Sequence, residues 1–355
     1  MAVALEPNSR NGKSGEGIRR WVMREYQPED VEGIRELSTA VFHDTRPTEH
    51  FTWKLEHNPA GRIGMIAEHS GRIVGFTVFV PMRLRIGNEL ILGVQGADSM
   101  THPDHQGIFV PLQKACMESA IAKGFEVAFG LPNEYSYPAL VLLLNWDHTG
   151  DVPRWIRVLN TDSAFLASLS RPKKIMAEAM RLFPMGNRTP SGIEIRRERP
   201  SDEELVSLAN RATMNETARM CRVEHSADWF RWRFDSASQR RYQWFSAYVE
   251  NDLKAWAAFG MNDWGELPLI GMAGTDLRAL EAVVSLATRD AKKLGLGALM
   301  SITNSEVAIR ALKACGYFQY RSMPLVVKSL THRILNANIH FHSSWRVGSE
   351  DLDTF

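Results

Sequence analysis

The feature that most constrains the fold is an internal repeat, in which the second half of the chain reproduces the landmarks of the first. Gly124 stands nine residues before Asn133, and Gly295 stands nine residues before Asn304. A further landmark follows twelve residues after each asparagine, namely Asn145-Trp146 in the first half and Gly316-Tyr317 in the second. Long units with the same order and spacing indicate two copies of one α/β domain and not a short-period solenoid.

The elements of each copy can be predicted from local patterns. The first copy reads as a strand, two helices, antiparallel strands, a turn, a helix, a strand and a second helix. We predict two separate hairpins, one around His69-Ser70-Gly71 and one that pairs Met82–Ile86 with Glu89–Met100. Gly93, Gly96 and Ala97 within the last of these strands indicate either a bulge or a backbone that another group approaches closely.

The predicted fold class is therefore α/β, with a mixed sheet and two tandem domains. The first domain is expected at 18–158 and the second at 193–329, joined by a crossover linker at 159–192. Residues 1–17 are predicted to be a disordered arm. The aromatic and acidic tail at 330–355 either tucks into a groove or stays disordered.

Composition excludes several classes of function. The 42 basic and 41 acidic residues give no electrostatic reason to bind nucleic acid or an anionic membrane. No apolar run approaches the roughly 18 residues that a membrane-spanning helix needs. The three scattered cysteines indicate buried thiols, and no metal site is expected. We therefore expect a cytoplasmic protein that needs neither nucleic acid nor membrane as a partner, while its oligomeric state stays open.

The turn at Thr101–Phe109 is the strongest candidate for a binding site. It follows a strand and opens a helix-period run that ends at Lys123-Gly124. Backbone N–H groups at such a turn favour an anion such as a pyrophosphate. The second copy has Gly271–Arg278 at the equivalent position and lacks the Pro-x-x-Gln-Gly turn. We therefore expect the second copy to be structural or to form one wall of an acceptor pocket.

The order of elements, together with three groups of residues, resembles the GCN5-related N-acetyltransferase (GNAT) superfamily. These groups are the turn Thr101–Phe109, Asn133 after the next strand, and the helix that ends at Asn145-Trp146. With its internal repeat, the chain is most similar to tandem GNAT proteins. Its turn is shorter than the family pattern Gln/Arg-x-x-Gly-x-Gly/Ala, and Phe109 stands where a small residue is usual. The resemblance implies a fold and not an acceptor, because this fold serves many substrates.

The resemblance also implies a co-substrate, which is acetyl-CoA or another acyl-CoA. In that scheme the pantetheine arm pairs like an extra strand with Met100, Thr101 and His102. The diphosphate is assigned to the turn residues His105, Gln106, Gly107, Ile108 and Phe109. Asn133 is expected to contact the arm. Its alternative role is to cap the following helix, for which asparagine is well suited.

Catalytic residues are harder to assign. The usual general acid of the family is a tyrosine seven residues after the asparagine, where this chain has Leu140. Tyr137 is the nearest replacement together with Tyr135, because a correctly placed phenol can protonate a leaving thiolate. Candidates for the general base are Asp98, whose burial would raise its pKa, and the turn histidines His102 and His105. A chain of water molecules is an alternative to any single base.

We expect an N-acyltransferase that moves an acyl group from acyl-CoA to an amine of a small-molecule acceptor by direct attack on the thioester. The co-substrate is expected in the first half and the acceptor between the halves. Two alternatives stay open. The short turn and the missing tyrosine fit a non-catalytic acyl-CoA-binding protein. A transferase that uses aminoacyl-tRNA shares the doubled fold, but the near-neutral charge argues against it.

Overall fold

The computed structural model describes residues 21–43, 46–160, 190–213, 221–237, 239–262, 268–332 and 338–352. The predicted arm at 1–17 and nearly all of the predicted crossover linker lie outside these ranges. Within them, no helix combines the length and the apolar character needed to cross a membrane.

Strands and helices follow the predicted order in both halves. The strands are β1 Val22–Glu25, β2 Ile63–His69, β3 Arg72–Ile86, β4 Glu89–Thr101, β5 Val127–Gly130, β6 Asp147–Val158, β7 Glu194–Arg196, β8 Cys221–Val223, β9 Arg241–Val249, β10 Asp252–Met261, β11 Ile270–Gly274, β12 Ala298–Ile302 and β13 Phe318–Ser329. The helices are α1 Val31–Phe42, α2 Thr48–Leu55, α3 Phe109–Ala122, the π-helical α4 Ala139–Leu143, α5 Asp202–Thr213, α6 Ala227–Phe230 with its π-helical continuation Arg231–Asp235, α7 Leu277–Lys293 and α8 Glu306–Ala314. Short 3-10 helices are Pro28–Asp30, Asn338–His340, His342–Ser344 and Ser349–Asp351.

The larger sheet is mixed, with the strand order β1-β2-β3-β4-β5-β13-β6-β12 and with β8 paired to β3. The prediction of a separate strand at Met82–Ile86 is wrong, because β3 runs on through these residues and keeps its pairing with β4 as far as Ile86 and Glu89. The predicted bulge in β4 is present, but it lies at Asp98, just beyond the glycines that indicated it.

Strand β13 links the two copies. It comes from the second half of the sequence but lies between β5 and β6 of the first, with Val326 opposite both Gly130 and His148. Its apolar residues Leu325 and Val327 are fully buried there. The second half keeps a smaller sheet of its own, with the order β11-β10-β9-β7. The copies are therefore tandem in sequence but share one sheet.

Equivalent tryptophans meet where the copies pack. Trp53 of α2 and Trp232 after α6 match in the sequence repeat, and their rings stack with centroids 4.9 Å apart. The Trp53 indole N–H donates to the Trp232 carbonyl oxygen at 2.7 Å, and the Trp232 indole N–H donates to the Trp53 carbonyl oxygen at 3.1 Å. Reciprocal bonds between equivalent residues are the pattern of a two-fold contact. The repeat inferred from sequence is therefore also a structural repeat, and the predicted fold class is confirmed.

The described part of the tail at 338–352 packs against the rest of the protein, in line with the first of the two predicted alternatives. Trp345, Val347 and Leu352 are buried. Asn304 holds the tail from two sides, since its amide donates to the Trp345 carbonyl at 2.8 Å and accepts from the Val347 N–H at 2.9 Å. The tail therefore packs against the second copy at the asparagine that matches Asn133 of the first.

Candidate functional site

A gap in strand pairing begins on the β5 side of β4, because no described strand pairs with this edge of β4 beyond Gln95. The parallel pairing of the two strands ends at Gln95 and Phe129. Just beyond it two glycines face each other, since a Cβ built on Gly130 would lie 3.6 Å from the Gly96 carbonyl oxygen. The bulge at Asp98, with a φ of +35°, lies further along β4, in its pairing with β3. The edge of β4 that faces the gap is thus available to pair with an extended ligand.

Asp98 lies at this bulge in a buried cluster of charges. It forms ion pairs with Lys54 of α2 and with Arg46, the latter at 3.0 Å. Burial alone would raise the pKa of Asp98, but Lys54 and Arg46 outweigh burial and lower the pKa below its ordinary value. The prediction that burial raises this pKa is therefore wrong. A carboxylate that holds a proton so weakly is a poor general base, and its visible role is to fix α2 to the bulge.

The turn after β4 leads through Gly107 into α3. The His102 N–H still pairs with the Val74 carbonyl at 2.8 Å, and the His105 N–H closes a turn on the His102 carbonyl at 2.9 Å. Gly107 is exposed and has a φ of +90°, which favours glycine. Ile108 is the N-cap residue, and no side chain caps the helix. The first N–H groups of α3 therefore remain uncapped by side chains, as a site for an anion requires.

A buried polar network holds the turn and the bulge in fixed positions. The Gln113 amide of α3 donates to the hydroxyl of Thr77 at 2.9 Å and to that of Ser99 at 2.8 Å. The two hydroxyls are themselves 2.7 Å apart, which ties β3 to β4 beside the bulge. Helix start, bulge and gap therefore form one preorganised unit.

The equivalent position in the second copy already holds a carboxylate. Asp276 caps α7 by accepting from the Ala279 N–H at 2.9 Å. This side chain satisfies a helix donor and complements the helix dipole, so a diphosphate would meet a like charge there. In the same copy, Ser349 of the tail accepts from the Ile302 N–H at 2.8 Å, at the end of β12. Both contacts favour a structural role for the second copy.

Histidines of the turn contact one another. The His102 Nδ1 accepts from the Asp104 N–H at 3.3 Å. The ring of His105 lies 5.8 Å from that of His102 and 5.0 Å from that of His69. In the described part of the chain, no group of three or more His, Cys, Asp or Glu side chains is arranged to hold a metal ion, and the three cysteines are buried as predicted.

Asn133 caps the segment that follows β5. Its side-chain oxygen accepts from the N–H groups of Tyr135 and Ser136, both at 3.0 Å. The capping alternative is therefore confirmed. Contact with a pantetheine arm stays a prediction, and it would use the NH₂ group of Asn133, since the oxygen is already engaged.

Tyr137 lies at the start of the α4 segment, and its hydroxyl is 3.1 Å from the Nδ1 of His148. Leu140, at the position of the usual tyrosine, is buried and offers no polar group. Tyr135 is 83% exposed. Tyr137 is therefore the phenol best supported by neighbours. Sequence reasoning missed His148, because no local pattern links a residue at the start of β6 to one eleven positions earlier.

The other predicted cofactor residues differ in what they can offer. The Met100 side chain is buried in the core, so only its backbone is available to a ligand. Thr101 pairs with Gly75 at the end of β4. Gln106 is exposed beside Gly107, whereas Phe109 packs at the edge of the core under α3. Geometry thus favours backbone recognition along β4 and the turn.

Comparison with known proteins agrees with this geometry. A family model described as an acetyltransferase (GNAT) domain matches residues 22–139. This part of the chain is therefore similar to a GNAT domain. It contains β4, the turn, α3, β5 and Asn133. A search of curated proteins found no match.

Solved structures extend the likeness beyond the matched GNAT domain. A GCN5-related N-acetyltransferase from Anabaena variabilis superposes with a TM-score of 0.60 at 7% identity, covering 90% of this chain and 75% of its own. A tandem GNAT protein from the clavulanic acid biosynthesis pathway superposes with a TM-score of 0.60 at 12% sequence identity, and the match covers 88% of this chain and 99% of that protein. Saccharomyces cerevisiae N-myristoyltransferase with bound myristoyl-CoA superposes with a TM-score of 0.63 at 12% sequence identity, and the match covers 89% of this chain and 84% of that protein. The predicted resemblance to tandem GNAT proteins is therefore confirmed at the level of the fold.

Proposed function

We propose that this protein is an acyl-CoA-dependent N-acyltransferase whose first half holds the co-substrate. The observation that carries the proposal is the gap between β4 and β5, which meets the uncapped start of α3 within a GNAT domain. An acyl-CoA has an extended amide-bearing arm and a diphosphate. The open edge of β4 suits the arm, and the turn at Gly107 suits the diphosphate.

In this proposal Met100, Thr101 and His102 bind the arm through their backbone groups. Residues His105 to Phe109 bind the diphosphate, and Asn133 donates to the arm from its free NH₂ face. A backbone N–H at the bulge would donate to the thioester oxygen as it gains charge. Holding the thioester and the amine together supplies much of the rate. Acetyl-CoA is the first co-substrate to test.

Only the first half is proposed to bind acyl-CoA. The second half has Asp276 at the helix start and the tail against β12, and both features argue against a second molecule of co-substrate. The acceptor is proposed to be a small-molecule amine bound between the halves, in the cytoplasm. We therefore expect one acyl-CoA per chain.

The main alternative is a non-catalytic acyl-CoA-binding protein. The specific observation in its favour is Leu140, which is buried at the position where GNAT enzymes usually have their acid. Under this alternative, Tyr137 and His148 would only pack at the surface. The two functions predict the same binding and differ in turnover.

Titration calorimetry with acetyl-CoA, followed by an assay of CoA thiol release over a panel of amines, separates these possibilities. Binding of one acetyl-CoA per chain with amine-dependent thiol release supports the transferase. Binding without release on any amine supports the non-catalytic alternative. If acetyl-CoA and longer acyl-CoAs all fail to bind, both functions are refuted, and a filter-binding test with charged tRNA becomes the next measurement.

A further inference from the structure

Three side chains in the segment after β5 and the first part of β6 form a chain of hydrogen bonds that the proposed function does not yet use. The Tyr137 hydroxyl lies 3.1 Å from the His148 Nδ1. The His148 Nε2 lies 3.1 Å from the Gly150 carbonyl oxygen and 3.3 Å from a carboxylate oxygen of Asp151. The order phenol, imidazole, carboxylate leads from the partly buried Tyr137 to an Asp151 side chain that is 58% exposed.

The direction of these bonds follows from what each atom can do. A backbone carbonyl and a carboxylate can only accept, so the His148 Nε2 must carry a hydrogen. In the neutral ring the Nδ1 then has a lone pair, and the Tyr137 hydroxyl donates to it. His148 is therefore arranged to receive a proton from Tyr137 and to become an imidazolium beside Asp151.

The backbone of β6 around His148 favours this orientation of the side chain. The pairing of β6 with β13 shifts between Gly150 and His148, so Thr149 forms a bulge and donates to the Leu325 carbonyl at 3.1 Å. Bulges of this kind redirect a side chain. Gly150 has a φ of +149°, and a Cβ there would lie 2.6 Å from the side chain of His342. A residue with a Cβ at position 150 would force His342 or the backbone to shift, so Gly150 lets the part of β6 that carries His148 pack closely against His342.

This assembly lies at the level along the large sheet where the β4–β5 pairing ends. Val326 of β13 is opposite Gly130 on one side and His148 on the other. Two strand spacings of about 4.8 Å therefore separate the backbone of His148 from the end of β5. The ring of Tyr137 packs against the same core cluster as Phe109 in the first turn of α3.

We propose that Tyr137, His148 and Asp151 form a proton relay that activates the amine acceptor, an inference that rests on the proposed N-acyltransferase function. The ammonium group gives one proton to the Tyr137 oxygen while the phenolic proton passes to the His148 Nδ1, and Asp151 stabilises the imidazolium. The neutral amine attacks the thioester, so that the C–N bond forms and the C–S bond breaks. The second nitrogen proton passes to the leaving thiolate, and His148 returns its proton to solvent.

In this relay Tyr137 touches the substrate, whereas His148 and Asp151 act through it as positioning residues. The relay also supplies the base that Asp98 is poorly suited to provide, since its ion pairs with Lys54 and Arg46 make the carboxylate a weak proton acceptor. Tyr137 is then a base for the amine and not an acid for the thiolate, as its bond to His148 requires.

The test compares two amines that differ in whether a proton must be removed. Benzylamine is an ammonium ion at neutral pH, whereas aniline is already neutral. With acetyl-CoA as donor, the His148→Ala and Tyr137→Phe variants are expected to lower kcat with benzylamine by about 100-fold, the lower range for general base catalysis. With aniline the loss should be less than about 10-fold, because the relay has no proton to remove. The KM for acetyl-CoA should stay unchanged.

Controls keep the relay distinct from the proposed function. The His57→Ala variant changes an exposed histidine outside the site and should behave as wild type. Equal losses with the two amines would overturn the relay while wild-type transfer stands. If the wild type transfers to no amine, the proposed function fails and takes the relay with it. Independently, ¹⁵N NMR of the wild type should show His148 protonated at Nε2, and a ring protonated at Nδ1 instead would overturn the proposal.

Discussion

Two glycines at opposite ends of α3 provide a matched test of the proposed diphosphate site. Gly107 precedes the helix with a φ of +90°, and Gly124 follows it with a φ of +84°. A Cβ built on either residue meets no atom within 4 Å, so neither substitution creates a clash. An L-residue in this conformation costs roughly 1–2 kcal/mol relative to glycine. Gly107→Ala and Gly124→Ala should therefore lower the free energy of unfolding by similar amounts.

Ligand affinity should separate the two variants. The added methyl group of Gly107→Ala projects from the exposed turn whose N–H groups are proposed to bind the diphosphate, whereas that of Gly124→Ala lies at the far end of the helix. We expect the first variant to weaken acetyl-CoA binding at least about tenfold, or 1.4 kcal/mol, and the second to leave the affinity unchanged. Urea unfolding measures the stability of each variant, and titration calorimetry measures its affinity.

The comparison can refute the reasoning in two ways. If the wild type binds acetyl-CoA and Gly107→Ala binds it equally well, the turn is not the diphosphate site. If both variants lose affinity to the same extent, the loss comes from strain in α3 and not from the turn. Only a selective loss at Gly107 supports the proposed site.

Three further predictions concern the packing around the site. Asp98→Asn should destabilise the fold by about 3–5 kcal/mol at pH 7, since it breaks a buried ion pair. Because folding lowers the pKa of Asp98, the stability that its carboxylate contributes is present above the ordinary carboxyl pKa and is lost as the pH falls. Urea unfolding should therefore show the free energies of unfolding of wild type and Asp98→Asn converging at acidic pH. Trp53→Phe and Trp232→Phe should each cost about 1–3 kcal/mol, because each leaves a buried carbonyl without its donor, and a double-mutant cycle should detect their coupling. Trp345→Ala should cost about 3–5 kcal/mol in thermal unfolding, since this indole packs on Phe129 and donates to the Ile339 carbonyl.

Each of these predictions has a clear contrary outcome. A stability difference between wild type and Asp98→Asn that persists unchanged at acidic pH would mean that the ion pair is not its source. Additive costs for Trp53 and Trp232 would show that the two indoles are not coupled. An unchanged melting temperature for Trp345→Ala would show that the tail is not part of the cooperative fold.

Local signals in the sequence were sufficient for the element order, the repeat and the position of the turn. Gly124 and Gly295 were identified as matching landmarks by spacing alone, and both end a helix at positive φ, a conformation that glycine adopts readily. The same spacing placed Asn133 after β5, where it caps the next segment. Such features could be predicted because each depends on a few neighbouring residues, and the GNAT resemblance rested on them.

Tertiary structure decided the features that depend on distant segments. Strand β13 enters the first sheet across more than half of the chain, and no periodicity in its sequence specifies β5 and β6 as its partners. The pKa of Asp98 falls where sequence predicted a rise, because Lys54 and Arg46 reach it from about fifty residues away, at separations of 44 and 52. His148 meets Tyr137 beside a bulge in β6. The sequence by itself thus determined the local elements and the fold they resemble. Folding alone decided which charged and proton-carrying side chains meet, since Coulomb forces and hydrogen bonds depend on distance in space and not along the chain.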